Sequence, residues 1–450
     1  MSILLAGAEN LTLTGRLRHD DAALTCAAVD FGGVAKRHPM AVLVPANATD
    51  IAQVVRFAAD RGIPVSARGS AHSLYGQSLV SQGIVIDMKG LGTVHRVDGD
   101  QALVDAGASW RAVLAATLPH GLTPPVLPDF LDLSVGGTLS LGGIGGTSHR
   151  HGAQVDTVIE LEVVTGTGEI VTCSRTSNVA LFRAVLAGLG QCAIITRATI
   201  PLIAAPTHVQ HTRTRYETTA ELNAAQVARV DEGRTDYVEG LVTQDGEGGW
   251  LRWMETVAYL GEGHALGEST IQDNGVVMES TTKSYFDFVN RLGDEAAFLA
   301  DLGPQSQVRP YCTVFVPSGA VDAAVDAALA RPLSEVGEQG LYLVYPLRRS
   351  RLSTPLFRLP DDEVVFQFSV FRYAGSEATE VVEGMLAANR VMHAEALRCG
   401  GTLYPYSAVE LDPQGWRDHW GEEWSFLEEA KASHDPQGVL GCGQGIFRTR

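Results

Sequence analysis

Leu133-Ser134-Val135-Gly136-Gly137-Thr138-Leu139-Ser140-Leu141-Gly142-Gly143-Ile144-Gly145-Gly146 places six glycines within eleven positions. A run so rich in glycine is not expected to form a regular helix. Its exposed N–H groups and hydroxyls can form a concavity for a pyrophosphate without any lysine. A tight turn at a domain edge is the other reading of the same residues. No Gly-Lys-Ser/Thr follows, so this is not a P-loop, and no G-x-G-x-x-G opens a long helix after a strand. Just upstream, Pro124-Pro125-Val126-Leu127-Pro128-Asp129 sets a carboxylate among apolar and proline neighbours. An ionised group there is costly unless paired or used for proton work, and a cap or turn is the alternative. Further upstream lies Arg68-Gly69-Ser70-Ala71-His72-Ser73-Leu74-Tyr75-Gly76-Gln77, a strand-end loop whose small residues leave room for a large ligand and from which His72 projects. Taken alone, a loop histidine is more often a structural or surface residue.

Outward from these loops the chain alternates short helical and strand patterns from about residue 37 to 203. Thr49-Asp50 reads as the N-cap of a helix carrying Ile51, Val54, Val55 and Ala58, closed by Gly62. Strands are expected at 63–68 and 83–88. A hairpin is expected over 94–106, turning at Asp98-Gly99, and Ser109 can cap a helix that buries Trp110, Val113, Leu114 and Leu118. A second hairpin is expected over 155–173, then a short helix with Leu181, Val185 and Leu186 and a buried strand at 192–200. These patterns predict an α+β domain with antiparallel pairs rather than uniform βαβ units. Residues 206–400 have a different texture, with an acidic loop at 244–249, strands near 251–259 and 364–372, and a long helix from Glu377 to Cys399. The last stretch, 416–447, reads as a helix rich in Trp, Phe and Glu followed by Gly441-Cys442-Gly443-Gln444-Gly445.

The 450 residues carry 34 Lys+Arg against 52 Asp+Glu, a net charge of −18, with 45% hydrophobic residues. That is a globular composition of about two domains. The acidic excess opposes nucleic-acid binding, which depends on basic surface and counterion release. The six cysteines form no C-x-x-C pair, so neither a zinc site nor a disulfide framework is expected. His149-Arg150-His151 offers two imidazoles but no completing carboxylate or thiolate, so no metal is expected. No G-x-S-x-G elbow supports a hydrolase. The run Ile3-Leu4-Leu5-Ala6 is too short for a signal sequence and no long apolar stretch follows, so a cytoplasmic protein without membrane insertion is expected.

Taken together, Arg68-Gly69-x-x-His72-Ser73-x-x-Gly76-Gln77, Asp129-x4-Ser134-Val135-Gly136-Gly137-Thr138-Leu139-Ser140, Arg150-His151-Gly152-x-Gln154 and Gly188-Leu189-Gly190-Gln191 resemble the FAD-binding domain of the vanillyl-alcohol oxidase superfamily, also called PCMH-type. The closest resemblance is to the cytokinin dehydrogenases. It continues through Asp236-Tyr237-Val238-Glu239-Gly240, Phe315-Val316-Pro317 and Val344-Tyr345-Pro346-Leu347 to Asp435-Pro436 and Gly443-Gln444-x-Ile446-Phe447, and so spans nearly the whole chain. The resemblance implies an α+β fold in which a two-subdomain FAD-binding domain (36–205, after an N-terminal segment 1–35) carries an inserted α+β substrate, or cap, domain (206–400). Residues 401–450 then return to the FAD domain. It implies FAD covalently attached through His72 alone, since the loop 124–146 lacks the cysteine of doubly linked relatives. Ala67, Gly69, Ala71, Ser73 and Gln77 would line the flavin. Ser134, Ser140, Ile144 and Ile195 would hold the pyrophosphate and adenosine end, and Tyr406, Gly441 and Gln444 would close the site. Asp129 matches the active-site carboxylate that orients a substrate amine, and Glu255 matches a second carboxylate facing the adenine of the substrate.

The implied reaction is oxidation of a CH–NH bond in an N6-isoprenoid adenine, a cytokinin, by hydride transfer to flavin N5. The imine then hydrolyses to adenine and an aldehyde, and oxygen or a quinone serves as electron acceptor. Ala71 and Ala193 stand where the family usually has glycine, and Gly441 where it has a hydroxyl residue. Residues 245–310 match poorly, and a changed cap can mean a changed substrate. An FAD-linked oxidation of another amine, an alcohol or a sugar is therefore the second expectation, and a flavin-binding protein without turnover the third.

Overall fold

The computed structural model describes residues 5–261, 271–293, 308–375 and 378–447. Glu377, the expected start of the long helix, and Ile3 and Leu4 of the first apolar run lie outside the described residues. Helices and strands are mixed throughout, as the α+β reading requires.

The first sheet has four strands in the order Arg16–Arg18, Ala41–Val44, Ile84–Asp87, Val65–Arg68. Its outer pair is antiparallel, but Ile84–Asp87 runs parallel to both of its neighbours. The expectation of antiparallel pairing fails here for a topological reason. Parallel strands need a crossover: the helix Ala48–Ala59 carries the chain from Ala41–Val44 to Val65–Arg68, and the loop 69–83 returns it to Ile84–Asp87 between them. That helix buries Ile51, Val54, Val55 and Ala58 at the expected spacing, but its N-cap is Asn47, whose side chain accepts from Asp50 N at 2.9 Å. Asp50 turns inward instead, accepting 2.8 Å bonds from the N–H groups of Thr14, Gly15 and Ala46. This bonding ties the N-terminal segment to the sheet.

The second sheet is wholly antiparallel, in the order Val94–Asp98, Gln101–Asp105, Ala193–Pro201, Glu160–Thr165, Ile170–Ser174. Both expected hairpins are present, although 154–157 is a helical turn and the second hairpin starts at Glu160. The glycine-rich run contains a five-residue helix, Val135–Leu139, which corrects the reading that excluded helix there. Buried Val135 and Leu139 pay for its poor propensity, and the chain leaves the helix before the next glycine pair.

The third sheet has eight antiparallel strands, from Val276–Ser284 at one edge through His208–Tyr216, Trp250–Leu260, Tyr237–Gln244, Leu341–Arg348, Val364–Phe371 and Cys312–Pro317 to Thr402–Leu403. The helices Thr219–Glu232, Val321–Leu329 and Thr379–Arg398 pack on it around a separate core that includes Val314, Tyr342, Phe366 and Phe368. The final stretch forms two helices, Pro413–Trp420 and Trp424–His434, separated at Gly421. The second packs on Val179–Val185, and Val65 N then donates to Val439 O at 2.8 Å. The tail thus lies beside the strand that leads into His72. Among the described residues, no helix is long and apolar enough to cross a membrane.

Candidate active site

A cavity of 1820 Å³ is lined jointly by the loop after Val65–Arg68, the glycine-rich run, the eight-stranded sheet and the C-terminal tail. Ala67, Gly69, Ala71, His72, Ser73, Gln77, Asp129, Ser134, Ser140, Ile144, Ile195, Glu255, Tyr406, Gly441 and Gln444 all line it. The structure therefore brings together the residues that the resemblance points to as lining the site.

At one end the loop 69–73 is held from below by Asp30. Its carboxylate accepts from Ser73 Oγ at 2.9 Å and Gly76 N at 2.7 Å. Burial pushes that carboxyl up, while these bonds and the nearby Arg68 pull it down, the net shift being upward. Ala71 has φ 60°, the left-handed conformation for which glycine is the usual residue. A Cβ on Gly69 would lie 1.9 Å from Ser134 Oγ, so the two loops touch only because this position is glycine. His72 stacks on Phe31 with ring centroids 3.8 Å apart and planes at 16°, and Arg309 lies over the Phe31 ring at 4.6 Å. Burial, reinforced by the Arg309 charge, pushes the imidazole down to about 4. It is neutral at physiological pH, with a lone pair available.

The tail closes this end through two glutamines. Gln77 accepts from Tyr75 N at 2.7 Å and donates to Tyr406 O at 3.0 Å. Gln191 donates to Gly441 O at 3.0 Å. Gly441 has φ 65°, and a Cβ there would meet Gln191 Nε2 at 2.2 Å. Glycine at this departure from the family pattern suits the backbone it occupies.

In the loop before the glycine-rich run, where Phe130 lies against His72, Asp129 Oδ1 accepts from Tyr237 OH and from Arg291 Nη2, each at 2.8 Å. Arg291 also contacts the Tyr237 hydroxyl and lies 3.5 Å from Glu239 Oε2. Burial and the Asp129 charge raise the Glu239 carboxyl well above its ordinary value, against the pull of Arg291. Glu255 lies 3.2 Å from Arg213 Nε and 3.4 Å from His211 Nε2. Burial raises its carboxyl, but His211, Arg291 and Arg213 outweigh this and leave it lowered. Sequence reasoning assigned no role to Tyr237, Glu239 or Arg291. The signal for Glu239 was alternation along Tyr237–Gln244, which puts Glu239, Leu241 and Thr243 on the cavity face. Arg291 had no signal of its own.

His149 and His151 play no part in the cavity. His149 is buried with its ring nitrogens against Gly146 O and Thr235 O, and Arg150 pairs with Asp236 at 2.8 Å. Among the described residues, no group of three or more His, Cys, Asp or Glu could hold a metal.

The cavity exceeds what a small metabolite alone fills, and its donor set fits a dinucleotide. The N–H groups of Gly69 to Ser73 find no acceptor among the described residues, and all five residues face the cavity. Such a row of free donors suits phosphate oxygens. Ser134 and Gly137 lie across from it at the start of Val135–Leu139.

Comparison with known proteins bears on what occupies this space. Residues 39–174 match the family described as FAD binding domain, and residues 269–447 match the family described as Cytokinin dehydrogenase 1, FAD and cytokinin binding. The chain is 34% identical over 437 residues to an uncharacterized oxidoreductase of the fasciation locus of Rhodococcoides fascians, covering 96% of this chain and 99% of that protein. It is 33% identical to cytokinin dehydrogenases 7 and 10 of Oryza sativa subsp. japonica, covering 97% and 98% of this chain and 92% and 90% of theirs. With similarity of this extent over nearly the whole chain, the chain belongs to the cytokinin dehydrogenase family and is an FAD-dependent oxidoreductase.

Proposed function

We propose that this protein oxidises the CH–NH bond of an N6-isoprenoid adenine. The observation that carries the reading is the Asp129 carboxylate, tethered through Oδ1 alone on the wall of a cavity large enough for FAD and a second ligand. Bound FAD supplies a hydride acceptor. Asp129 accepts a hydrogen bond from the substrate's secondary amine, orients the adjacent carbon and takes the amine proton as the imine forms. The imine hydrolyses to adenine and an aldehyde. Glu255, beside Arg213 and His211, faces the purine of the substrate, and Glu239, its neutral form favoured by burial and the Asp129 charge, joins Asp129 through Arg291 inside the wall.

The loop 69–73 and Ser134 hold the phosphates in this reading. Ser140, Ile144 and Ile195 hold the adenosine end, and Ala67, Gln77, Tyr406, Gly441 and Gln444 enclose the flavin. His72, whose stacked imidazole is neutral and keeps a lone pair, would hold the flavin through a single covalent bond. The FAD-binding domain comprises 36–205 with the tail 401–450, and the cap comprises 206–400. Oxygen or a quinone reoxidises the flavin. We place the reaction in the reducing cytoplasm, where six free thiols are stable.

The test is acid precipitation of the purified protein. Yellow colour should stay in the wild-type pellet and leave that of His72→Ala. Acid-stable flavin in the variant would overturn the linkage. An enzyme whose flavin is bleached only by another amine, an alcohol or a sugar would move the substrate to that class.

A further inference from the structure

We infer that Arg291 is a positioning residue for the oxidation, fixing Asp129 through one oxygen so that the other is presented to the substrate; this rests on the role given to Asp129 above. Both hydrogen bonds to that carboxylate converge on Oδ1, from Arg291 Nη2 and from Tyr237 OH. Oδ2 bonds no described residue, and Asp129 lines the cavity. With both bonds on Oδ1, Oδ2 is the oxygen of this cavity-lining carboxylate left for a ligand.

The arginine is itself held on several sides. Its guanidinium carbon lies 4.8 Å from the Phe288 ring centroid and 5.2 Å from that of Tyr237, at cation–π distance from both. Nη1 reaches Phe288 O at 3.5 Å. Phe288 is 1% exposed in the short helix Tyr285–Val289, which Ser284 caps by accepting from Asp287 N. The arginine is therefore anchored in the cap, while Asp129 belongs to the loop before the glycine-rich run. One guanidinium spans the two parts at the reacting position.

Charge also singles out Arg291. Two carboxylates, Asp129 and Glu239, converge on this cation, and burial together with the Asp129 charge favours the neutral form of Glu239. Arg291 is then the counter-ion of Asp129, and the group of three is neutral overall. One nitrogen, Nη2, makes this grip while Nη1 reaches Phe288 O, and a lysine in its place keeps the charge with less directional control.

The holoenzyme should be mixed anaerobically with isopentenyladenine in wild type, Arg291→Met, Arg291→Lys and Tyr237→Phe, following flavin absorbance. In Arg291→Met, with FAD content retained, the rate constant at saturating substrate should fall about a hundredfold, the cost of a misplaced reacting group. The dissociation constant from the same titration should move far less, and Arg291→Lys should recover part of the rate. A wild-type rate in Arg291→Met, a loss wholly in the dissociation constant, or no recovery by lysine would overturn the proposal. If Arg291→Met does not fold, a wild-type rate in both Arg291→Lys and Tyr237→Phe overturns it, and a slowed Tyr237→Phe supports it. If the wild type is not bleached, the functional reading fails. The crystal structure of Arg291→Met then decides the arginine's role, since an Asp129 side chain still in its original rotamer contradicts it and one turned away from the cavity supports it.

Discussion

Asp129 and Glu239 are both carboxylates on the same cavity wall, yet their surroundings give them different tasks. Asp129 takes two charge-assisted or hydroxyl bonds on Oδ1, whereas Glu239 has Oε1 buried without a partner among the described residues. Asp129→Asn should slow flavin reduction by roughly a hundredfold or more if the carboxylate takes the amine proton. Stopped-flow reduction at the wild-type rate would remove it from the mechanism. Glu239 makes a prediction in pH. Its carboxyl is raised by burial and by Asp129, so the native state keeps a proton that the unfolded chain releases above 4.5. The stability this contributes is complete below that pH and is lost as pH rises toward the folded value. Glu239→Gln keeps the neutral shape and removes the loss. Its melting temperature should therefore gain on wild type as pH rises from 4.5, and a pH-independent difference would contradict the assignment. At this scale the sequence was legible for residues in compact motifs such as 68–77 and 129–140. Arg291 was not, because only the packing of the cap brings it 162 positions back to Asp129.

Elements were legible where periodicity and caps agree and less so where backbone geometry decides. Ser109 caps Trp110–Thr117 by accepting from Ala112 N at 3.1 Å, and the buried Trp110, Val113 and Leu114 follow the expected spacing. The start of Ala48–Ala59 was displaced because Asn47, Thr49 and Asp50 are all competent caps, and tertiary bonding to residues 14, 15 and 46 claims Asp50. The parallel pairing of Val65–Arg68 with Ile84–Asp87 had no local signature, since buried parallel and antiparallel strands share the same β-branched composition. The contact between Gly69 and Ser134 joins two loops that read as separate, and it predicts an effect of one methyl group. Gly69→Ala forces the loops apart and should destabilise by ~1–3 kcal/mol, with looser FAD binding. A melting temperature and flavin content equal to wild type would show that the loops separate freely.

The whole molecule depends on the tail reaching back to the first sheet. Lys431, on Trp424–His434, donates to Asp435 Oδ2 at 2.6 Å, Gln191 O at 2.8 Å and Leu440 O at 3.0 Å. Asp435 is 1% exposed and also accepts from Leu440 N at 2.9 Å. This latch sits just before Gly441 and Gln444, so it fixes the residues that close the cavity. Lys431→Met leaves a buried carboxylate without its cation and should cost about 3–5 kcal/mol. Thermal melting should show the loss, with the tail the first site cut in limited proteolysis, and an unchanged melt would rule out the latch. The return of the tail was legible only through resemblance, because Asp435-Pro436 and Gly443-Gln444 carry no local signal for a partner more than two hundred residues away. Thr402–Leu403 completes the edge of the eight-stranded sheet. The first loops, the eight-stranded sheet and the tail converge on one cavity, and oxidation of an isoprenoid adenine is the reaction proposed there. Anaerobic mixing of the purified holoenzyme with isopentenyladenine tests it most directly. Bleaching of the flavin absorbance with release of adenine is the predicted result, and a flavin that stays oxidised would contradict it.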